Sequence, residues 1–334
     1  MLRRRVRYQL EELRRRIVYR AKRHRFGGWD LEVRFHYPKQ KLDSYLAHVF
    51  PDRTKGYFRE AIRAGRILVE MQRVGDDLAV ELYQRVTILD PEIPPLSIRP
   101  LDIPLDILYE DEHLLVVNKP AGLLTHPNID LSTPSVLAGL ARLGKLHQPK
   151  VFTFESGVVH RLDYLTSGAL CVARTQAGWQ DMRRLFRKRR VEKEYLAVVV
   201  GRLGEPGTID LPIGRGTQES SRHVVDREKG KRAVTHYRVV EAGETATLVR
   251  VRLETGRTHQ IRVHFAAIGH PVVGDPLYGE RKGTRLLLHA CRLAFEHPMT
   301  RKKIEVEAPL RPDFTHDMAL VMGQVGASRE GRPG

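Results

Sequence analysis

Cysteine, tryptophan and long apolar runs are scarce in this sequence. Its 334 residues include only two cysteines, Cys171 and Cys291, too few for a disulfide framework, so we expect a reducing, cytoplasmic environment. Neither cysteine lies in a CxxC motif or a Cys/His cluster, the patterns typical of structural zinc. Apolar runs such as residues 196–200 are far shorter than the ~20 residues that a membrane span needs. No apolar segment follows the basic start, which argues against a secretory signal.

Acidic residues are outnumbered, 40 against 57 lysines and arginines, which leaves a formal net charge of +17. Residues 1–25 hold 11 basic and two acidic residues, and residues 183–190 hold six basic ones. Two such clusters favour a nucleic-acid partner, since binding to a phosphate backbone releases counterions. A solvated face, an anionic membrane surface and a mitochondrial presequence are the alternatives. The last two arise because one helical stripe would be apolar: Val6, Leu10, Leu13 and Ile17.

The pattern divides the chain into five segments. Residues 1–36 are predicted to be a basic helical extension, with the helix over 1–25, and residues 37–90 a small α+β unit. Five prolines indicate a linker over 91–105. In residues 106–315 strands and helices do not alternate regularly, which predicts an α+β domain with a mixed or antiparallel sheet. Residues 316–334 are predicted to be a flexible tail.

Residues 37–90 combine two helical patterns with short strand patterns. Residues 41–43 (KLD) open the first helix, residues 62–69 (IRAGRILV) lead from the second helix into a strand, and Gly75-Asp76 precedes a further predicted strand at 78–82. This order resembles the S4 RNA-binding module, and the resemblance implies a hairpin turn at 71–72, where Met71 and Gln72 replace the family's usual Asn-Gly. A small α+β domain without RNA contact is the alternative. The resemblance implies RNA contacts by three basic residues: Lys41, Arg63 and Arg66.

A single aspartate stands out in residues 160–168, HRLDYLTSG. Asp163 precedes a predicted strand, a place where aspartate is more often a turn or capping residue than a catalytic one. Residues 255–264 put arginine and histidine at a strand-to-helix junction, so Arg262 could converge with Asp163. Ser167 lacks the Gly-x-Ser-x-Gly context of a serine hydrolase. Three histidines could be considered for a metal but lack the HExxH pattern: His259, His264 and His270.

Four segments together resemble the RluA-type pseudouridine synthases, a family that isomerises uridine in ribosomal and transfer RNA. They occur in the family's order over residues 106–312: 115–127, 160–168, 255–264 with 269–279, and 285–290. The resemblance implies a catalytic domain that needs no cofactor and no metal, preceded here by the S4-like unit. One departure follows the aspartate, where Tyr164 and Leu165 occupy positions that are often charged in the family.

The resemblance also implies roles for individual residues. Asp163 would be the catalytic aspartate, and Arg262 would pair with its carboxylate. Tyr195 would pack on the target base, Arg161 would fill the gap left by the flipped nucleotide, and Leu288 would form an apolar wall of the uracil pocket. Two further residues complete the predicted RNA contacts: His160 and Arg187.

The reaction accounts for these residue types. Uridine becomes pseudouridine when the N1–C1′ bond breaks and a C5–C1′ bond forms; every atom is retained, so neither a redox cofactor nor water is consumed. A carboxylate can act as nucleophile, stabilise an oxocarbenium-like sugar or take part in base elimination through C2′, and these routes stay open. An RNA-binding protein that has lost catalysis is the alternative. The S4-like unit favours large-subunit (23S) ribosomal RNA over transfer RNA, and we expect a monomer without membrane contact.

Overall fold

A computed structural model describes most of the chain, in ten ranges: residues 19–23, 29–33, 39–50, 53–89, 98–127, 133–146, 151–152, 157–216, 222–279 and 284–323. The chain divides into two compact units. Unit 1 comprises Met1–Pro104, Leu124–Val158 and Ala173–Gln176. Unit 2 comprises Leu105–Leu123, Val159–Val172 and Ala177–Gly334. The first break coincides with the end of the predicted linker, but unit 1 also includes two stretches of the larger predicted domain, residues 124–158 and 173–176.

The described residues form 17 strands and six helices. The strands are β1 Tyr19–Arg23, β2 Trp29–Val33, β3 Ile67–Val69, β4 Gln72–Arg73, β5 Arg85–Ile88, β6 Asp106–Glu110, β7 Leu114–Lys119, β8 Val151–Phe152, β9 Ser167–Ala173, β10 Glu192–Val200, β11 Gly207–Asp210, β12 Ile213–Arg215, β13 His223–Val225, β14 Val234–Ala242, β15 Ala246–Leu253, β16 Leu288–Glu296 and β17 Lys303–Glu307. The helices are α1 Leu42–Val49, α2 Lys55–Arg63, α3 Val136–Arg142, α4 Gln176–Arg187, α5 Gln260–Ala267 and α6 Pro312–Val321.

Unit 1 is built on a six-stranded sheet in the order β4-β3-β5-β2-β1-β8. Helices α1 and α2 pack against each other and bury their apolar faces, with Leu46 and Phe58 fully inaccessible to solvent. Thr54 caps α2, because its hydroxyl accepts a hydrogen bond from the Tyr57 N–H at 3.2 Å. Two helices followed by a hairpin are consistent with the S4-like resemblance, which stays a prediction.

Three predictions for unit 1 need correction. Residues 19–23 form β1, paired with β2 along its whole length, so the predicted helix does not reach residue 25; residues 1–18 lie outside the described part. The hairpin turn falls on Glu70 and Met71 rather than one residue later. Residues 78–82 make only an isolated bridge between Ala79 and Lys41, and the strand forms at β5 instead, where Val86 and Ile88 are fully buried.

Part of the predicted linker is packed. Ile98 is buried, and the Leu101 N–H donates to the Ala138 carbonyl of α3 at 3.1 Å, so residues 98–101 are anchored within unit 1. Residues 90–97 lie outside the described part.

Unit 2 is built on a nine-stranded sheet. Eight strands run in the order β11-β14-β15-β10-β16-β9-β7-β6, and β17 pairs with β16. The pairing of β16 with β9 is parallel, whereas β16 pairs antiparallel with both β10 and β17. The mixed sheet confirms the predicted α+β class.

Gly168 fixes the start of β9 against β16. Its φ of +114° is in a region that side chains rarely adopt, and a Cβ atom there would stand 2.2 Å from the Ala290 carbonyl oxygen. Glycine therefore allows the two backbones to approach. The consequence for the site is that the loop ending at Ser167 is held directly beside β16.

A β-bulge sets the direction of Tyr195. Strand β10 pairs with β16 at Glu194–Arg292 and again at Leu196–His289, so two residues of β16 face the single residue Tyr195. Bulges bend a strand and redirect a side chain. The Tyr195 side chain lies inside unit 2, with 8% of its surface exposed.

Helix α6 closes the apolar core of unit 2. Phe314 packs in a buried cluster with Val198, Leu248 and Leu287. The helix runs to Val321, so the predicted flexible tail is wrong for residues 316–321; residues 324–334 lie outside the described part. Among the helices that the structure describes, none is both long and apolar enough to span a bilayer.

Candidate active site

Asp163 lies in the loop that precedes β9 in unit 2. The loop is tied to the turn after β7, because the Tyr164 carbonyl accepts hydrogen bonds from the Gly122 N–H at 2.9 Å and from Lys119 Nζ at 3.2 Å. The Thr166 N–H closes the loop onto the Asp163 carbonyl at 3.1 Å. The Asp163 side chain keeps 25% of its surface exposed. The carboxylate is thus held in place and reachable from solvent.

Arg262 of α5 lies between two aspartates. Its Nη1 donates to Asp163 Oδ2 at 3.1 Å, while Nε and Nη2 donate to the two carboxylate oxygens of Asp275 at 2.7 and 2.8 Å. The guanidinium also lies over the Tyr278 ring, 5.1 Å from its centroid. Burial by itself lowers the pKa of Arg262, but the hydrogen bonds and charge of Asp275, with the charge of Asp163, leave it raised. Arg262 therefore presents a fixed positive charge to Asp163.

Asp275 is the buried anchor of this arrangement. It is fully inaccessible to solvent and also accepts hydrogen bonds from the backbone N–H groups of Leu277 and Tyr278. Burial favours the neutral acid, but the Arg262 guanidinium and these N–H groups together lower the pKa of Asp275. The preceding residue, Gly274, has a φ of +75°, and a Cβ atom there would lie 1.9 Å from the Arg285 carbonyl oxygen. The turn that positions Asp275 therefore requires glycine at this position.

His259 approaches the carboxylate from a second side. It precedes α5 in the left-handed conformation, with φ of 57°, and its Nε2 lies 3.7 Å from Asp163 Oδ2. Its Nδ1 is 2.9 Å from the Tyr278 hydroxyl, which accepts the His223 N–H at 2.8 Å. These contacts are all consistent with one arrangement of protons. The Tyr278 hydroxyl donates to His259 Nδ1, and the imidazole proton is on Nε2, facing Asp163. Burial, with the nearby aspartates, raises the pKa of Tyr278.

The negative charge of Asp163 also raises the pKa values of Tyr195 and Lys119. Burial raises the pKa of Tyr195, and the Asp163 carboxylate raises it further, so the hydroxyl stays protonated. Lys119 is fully buried, and its Nζ donates to three carbonyl oxygens, those of Pro120, Leu123 and Tyr164. Burial lowers the pKa of Lys119 to about 7, although the charge of Asp163 opposes this shift.

The basic end of α4 is fastened to the Asp163 loop. The His160 imidazole stacks on Phe186 of α4, with ring centroids 4.5 Å apart, and its Nε2 accepts the Cys171 N–H at 2.9 Å. Burial, with the charge of Lys193, lowers the pKa of His160 to about 3, so the ring is neutral. Arg187 follows Phe186 and is exposed, as is Arg161. The His160 ring is therefore in contact with other parts of the protein, and its predicted RNA contact stays a prediction.

The structure arranges the other predicted residues in two groups. Leu288 is buried at the start of β16, where it pairs with Ala197 of β10. In unit 1, Lys41 is exposed, Arg63 pairs with Asp76 at 2.6 Å, and Arg66 lies near the Tyr57 ring, 5.9 Å from its centroid. These three side chains belong to unit 1, whereas Asp163 belongs to unit 2.

The hydrolase and metal alternatives find no support in the geometry. Ser167 is fully buried, and its hydroxyl is held by His289 Nδ1 at 2.8 Å and Arg285 at 2.7 Å, so a substrate could not reach it. His264 contacts Thr235 and the Leu211 carbonyl, whereas His270 contacts the Val200 carbonyl. The three histidines considered for a metal therefore make separate contacts, and the described residues contain no group of metal-ligating side chains.

The sequence did not predict the roles of four residues that lie around Asp163 and Arg262: Asp275, His259, Tyr278 and Lys119. Asp275 lies in a Gly-Asp-Pro turn, which reads as an ordinary turn until Arg262 is placed beside it. The signal for Lys119 was a charged residue at the end of the apolar strand pattern of β7. Such a residue is buried only when it finds several partners.

Comparison with known proteins agrees with the fold. The sequence profile described as RNA pseudouridylate synthase matches residues 113–267. The chain belongs to the RluA-type family of RNA pseudouridine synthases, enzymes that isomerise uridine in RNA to pseudouridine.

Individual relatives make the family assignment more specific. The protein named ribosomal large subunit pseudouridine synthase D of Escherichia coli O157:H7 is 38% identical over 292 residues, covering 82% of this chain and 88% of the relative. The protein of the same name from Pseudomonas aeruginosa is 37% identical, covering 87% and 94%. The solved structure titled Human RNA Pseudouridylate Synthase Domain Containing 1 is 32% identical, with a TM-score of 0.53, covering 66% of this chain and 89% of that one.

Proposed function

We propose that this chain converts specific uridines to pseudouridine in large-subunit ribosomal RNA, with Asp163 as the catalytic carboxylate. The observation that carries the proposal is the arrangement of Asp163, partly exposed, against Arg262, which the buried Asp275 holds from behind at 2.7 Å. A carboxylate fixed beside a buried cation and open on its other side is suited to act on the sugar of a bound nucleotide.

The chemical step needs a group that stabilises or bonds to C1′ while the base is detached. The N1–C1′ bond breaks, the freed base turns, a C5–C1′ bond forms and the C5 proton moves to the base nitrogen, so all atoms balance. Asp163 supplies the negative charge at the sugar, as a nucleophile or as a stabilising ion, or assists elimination through C2′. Arg262 fixes the direction of the carboxylate, and the protonated Tyr195 offers an aromatic face to the uracil.

The target uridine must leave its stack before Asp163 can reach its sugar. Extrusion of a base costs a few kcal/mol. Arg161, exposed two residues before Asp163, would occupy the vacated position, and the buried Leu288 would contribute an apolar wall to the uracil pocket. His160, stacked on Phe186, would connect this loop to the basic end of α4.

Three basic parts of the chain would hold the RNA backbone. The end of α4 and the turn after it carry consecutive exposed cations, including Arg187, within the same unit as Asp163. The S4-like unit would add Lys41, Arg63 and Arg66, with the basic residues 1–25 as a further contact. We place the substrate in ribosomal rather than transfer RNA because the curated relatives cited above are named for the ribosomal large subunit. The enzyme would then act as a cytoplasmic monomer.

The test is to map pseudouridine in the RNA of cells that carry or lack the gene. We expect one or more large-subunit uridines to lose the modification when the gene is deleted. The wild type and a matched control, Asp106→Asn, should restore it, because Asp106 is an exposed aspartate in unit 2 that pairs with Arg311. Asp163→Asn should not restore it. Restoration by Asp163→Asn would refute the catalytic assignment, and a change confined to transfer RNA would refute the substrate assignment.

A further inference from the structure

We infer that Tyr164 is a substrate-binding residue that stacks on the base next to the target uridine. This inference rests on the proposed function and adds a nucleotide outside the uracil pocket to those that the enzyme contacts. The observation behind it is an aromatic side chain, 53% exposed, immediately after Asp163.

The backbone of Tyr164 is held by hydrogen bonds, while its side chain is exposed to solvent. The carbonyl oxygen accepts two hydrogen bonds, from the Gly122 N–H and from Lys119 Nζ, so the backbone of the residue is anchored at this atom. The hydroxyl lies over the turn at Gly122, where it would be 3.9 Å from a Cβ atom. Tyrosine has few rotatable bonds, so its ring loses little freedom when a base packs on it.

Tyr164 is adjacent to Asp163 in the chain, ~3.8 Å away between Cα atoms. Its exposed ring is therefore available close to the carboxylate that acts on the target sugar. When the target uridine leaves the stack, the base beside it loses one of its stacking partners. A tyrosine ring one residue from the carboxylate can replace that partner, whereas Arg161 fills the space of the uridine itself.

Stacking of this kind makes a testable contribution. Aromatic contacts with single bases are worth about tenfold in affinity when the ring is removed, and they depend on the π-face rather than on hydrogen bonds. Loss of the Tyr164 ring should therefore weaken productive RNA binding and matter only when a flanking base is present. A tyrosine that merely covers Gly122 would show no such dependence.

The experiment pairs protein variants with altered RNAs. The probe is a synthetic RNA centred on the uridine that cellular mapping identifies, in three forms: intact, abasic at the 5′ neighbour and abasic at the 3′ neighbour. We expect Tyr164→Ala to lower kcat/KM about tenfold on the intact RNA and to equal the wild type on one abasic form. Tyr164→Phe retains the ring and should recover both the rate and the dependence on that flank.

Controls separate this role from general damage and from the proposed function. Leu320→Ala removes another half-exposed apolar side chain of unit 2 and should leave kcat/KM unchanged. Equal rates for wild type and Tyr164→Ala on intact RNA would overturn the inference, as would the same loss on all three RNAs. A loss in Tyr164→Phe equal to that in Tyr164→Ala would assign the effect to the hydroxyl instead. If wild type formed no pseudouridine in any RNA, the proposed function itself would fall, and the inference with it.

Discussion

Replacing Asp275 with asparagine removes the charge that holds Arg262 from behind. The two carboxylate oxygens of Asp275 accept hydrogen bonds at 2.7 and 2.8 Å, and both partners are almost completely buried. Asparagine keeps the size and one acceptor oxygen, so the change removes the charge with little loss of volume. Arg262 is then left buried with a single ionic partner, Asp163 at 3.1 Å.

The expected loss of stability is about 3 kcal/mol. Breaking a buried ion pair by removing one partner costs ~3–5 kcal/mol, because the remaining charge is still desolvated. The lower end applies here, since Arg262 keeps its contact with Asp163 and lies over the Tyr278 ring. An exposed pair provides the comparison: Asp106→Asn, which loses the contact with Arg311, should cost less than ~1 kcal/mol.

The assay is urea unfolding followed by tryptophan fluorescence. The chain has two tryptophans, Trp29 in unit 1 and Trp179 in unit 2, so a Trp29→Phe background reports on the unit that contains the pair. The pKa of Asp275 is lowered in the folded state, so its contribution is complete above the titration range of the unfolded chain and lost as pH falls below about 3.8. The gap between wild type and Asp275→Asn should be constant near neutral pH and narrow in acid. A loss as small as that of Asp106→Asn would refute the reasoning.

Two further substitutions test backbone geometry. Gly168→Ala should destabilise unit 2 by about 3 kcal/mol or more, because a Cβ would stand 2.2 Å from the Ala290 carbonyl oxygen; Gly269→Ala, at φ of 82° with open space around it, should cost about 1 kcal/mol in the same urea assay. Met71→Gly should raise the stability of unit 1 by about 0.5–1 kcal/mol in thermal unfolding, because Met71 has a φ of 65° in a two-residue turn; Met71→Ala should bring no such gain.

The apolar patterns predicted much of the sheet of unit 2. Short apolar runs at 114–117, 169–173, 195–200, 247–253 and 304–308 predict buried strands. The structure has a strand at each of these places: β7, β9, β10, β15 and β17. The strands β11 to β14 were not predicted, because polar and charged residues interrupt them. The strand β14 shows why: from Tyr237 to Ala242 its side chains are mostly partly or fully exposed, so neither alternation nor an apolar run marks it.

Only part of the site could be predicted from the sequence. Asp163 and Arg262 were expected to converge, and the structure places them 3.1 Å apart although 99 positions separate them. Asp275 binds Arg262 only because the turn at Gly274 brings it there, and the residues around Gly274 do not predict the geometry of that turn. The approach of His259 depends on its left-handed backbone, which likewise appears only once α5 is placed.

The central claim is that Asp163 performs the chemistry rather than only binding RNA. The most direct measurement is the single-turnover rate of pseudouridine formation by purified wild type and Asp163→Asn, with the Kd for the same RNA measured alongside. We predict a rate lower by on the order of 10⁴-fold or more, with Kd nearly unchanged. A variant that forms pseudouridine within tenfold of the wild-type rate would contradict the account.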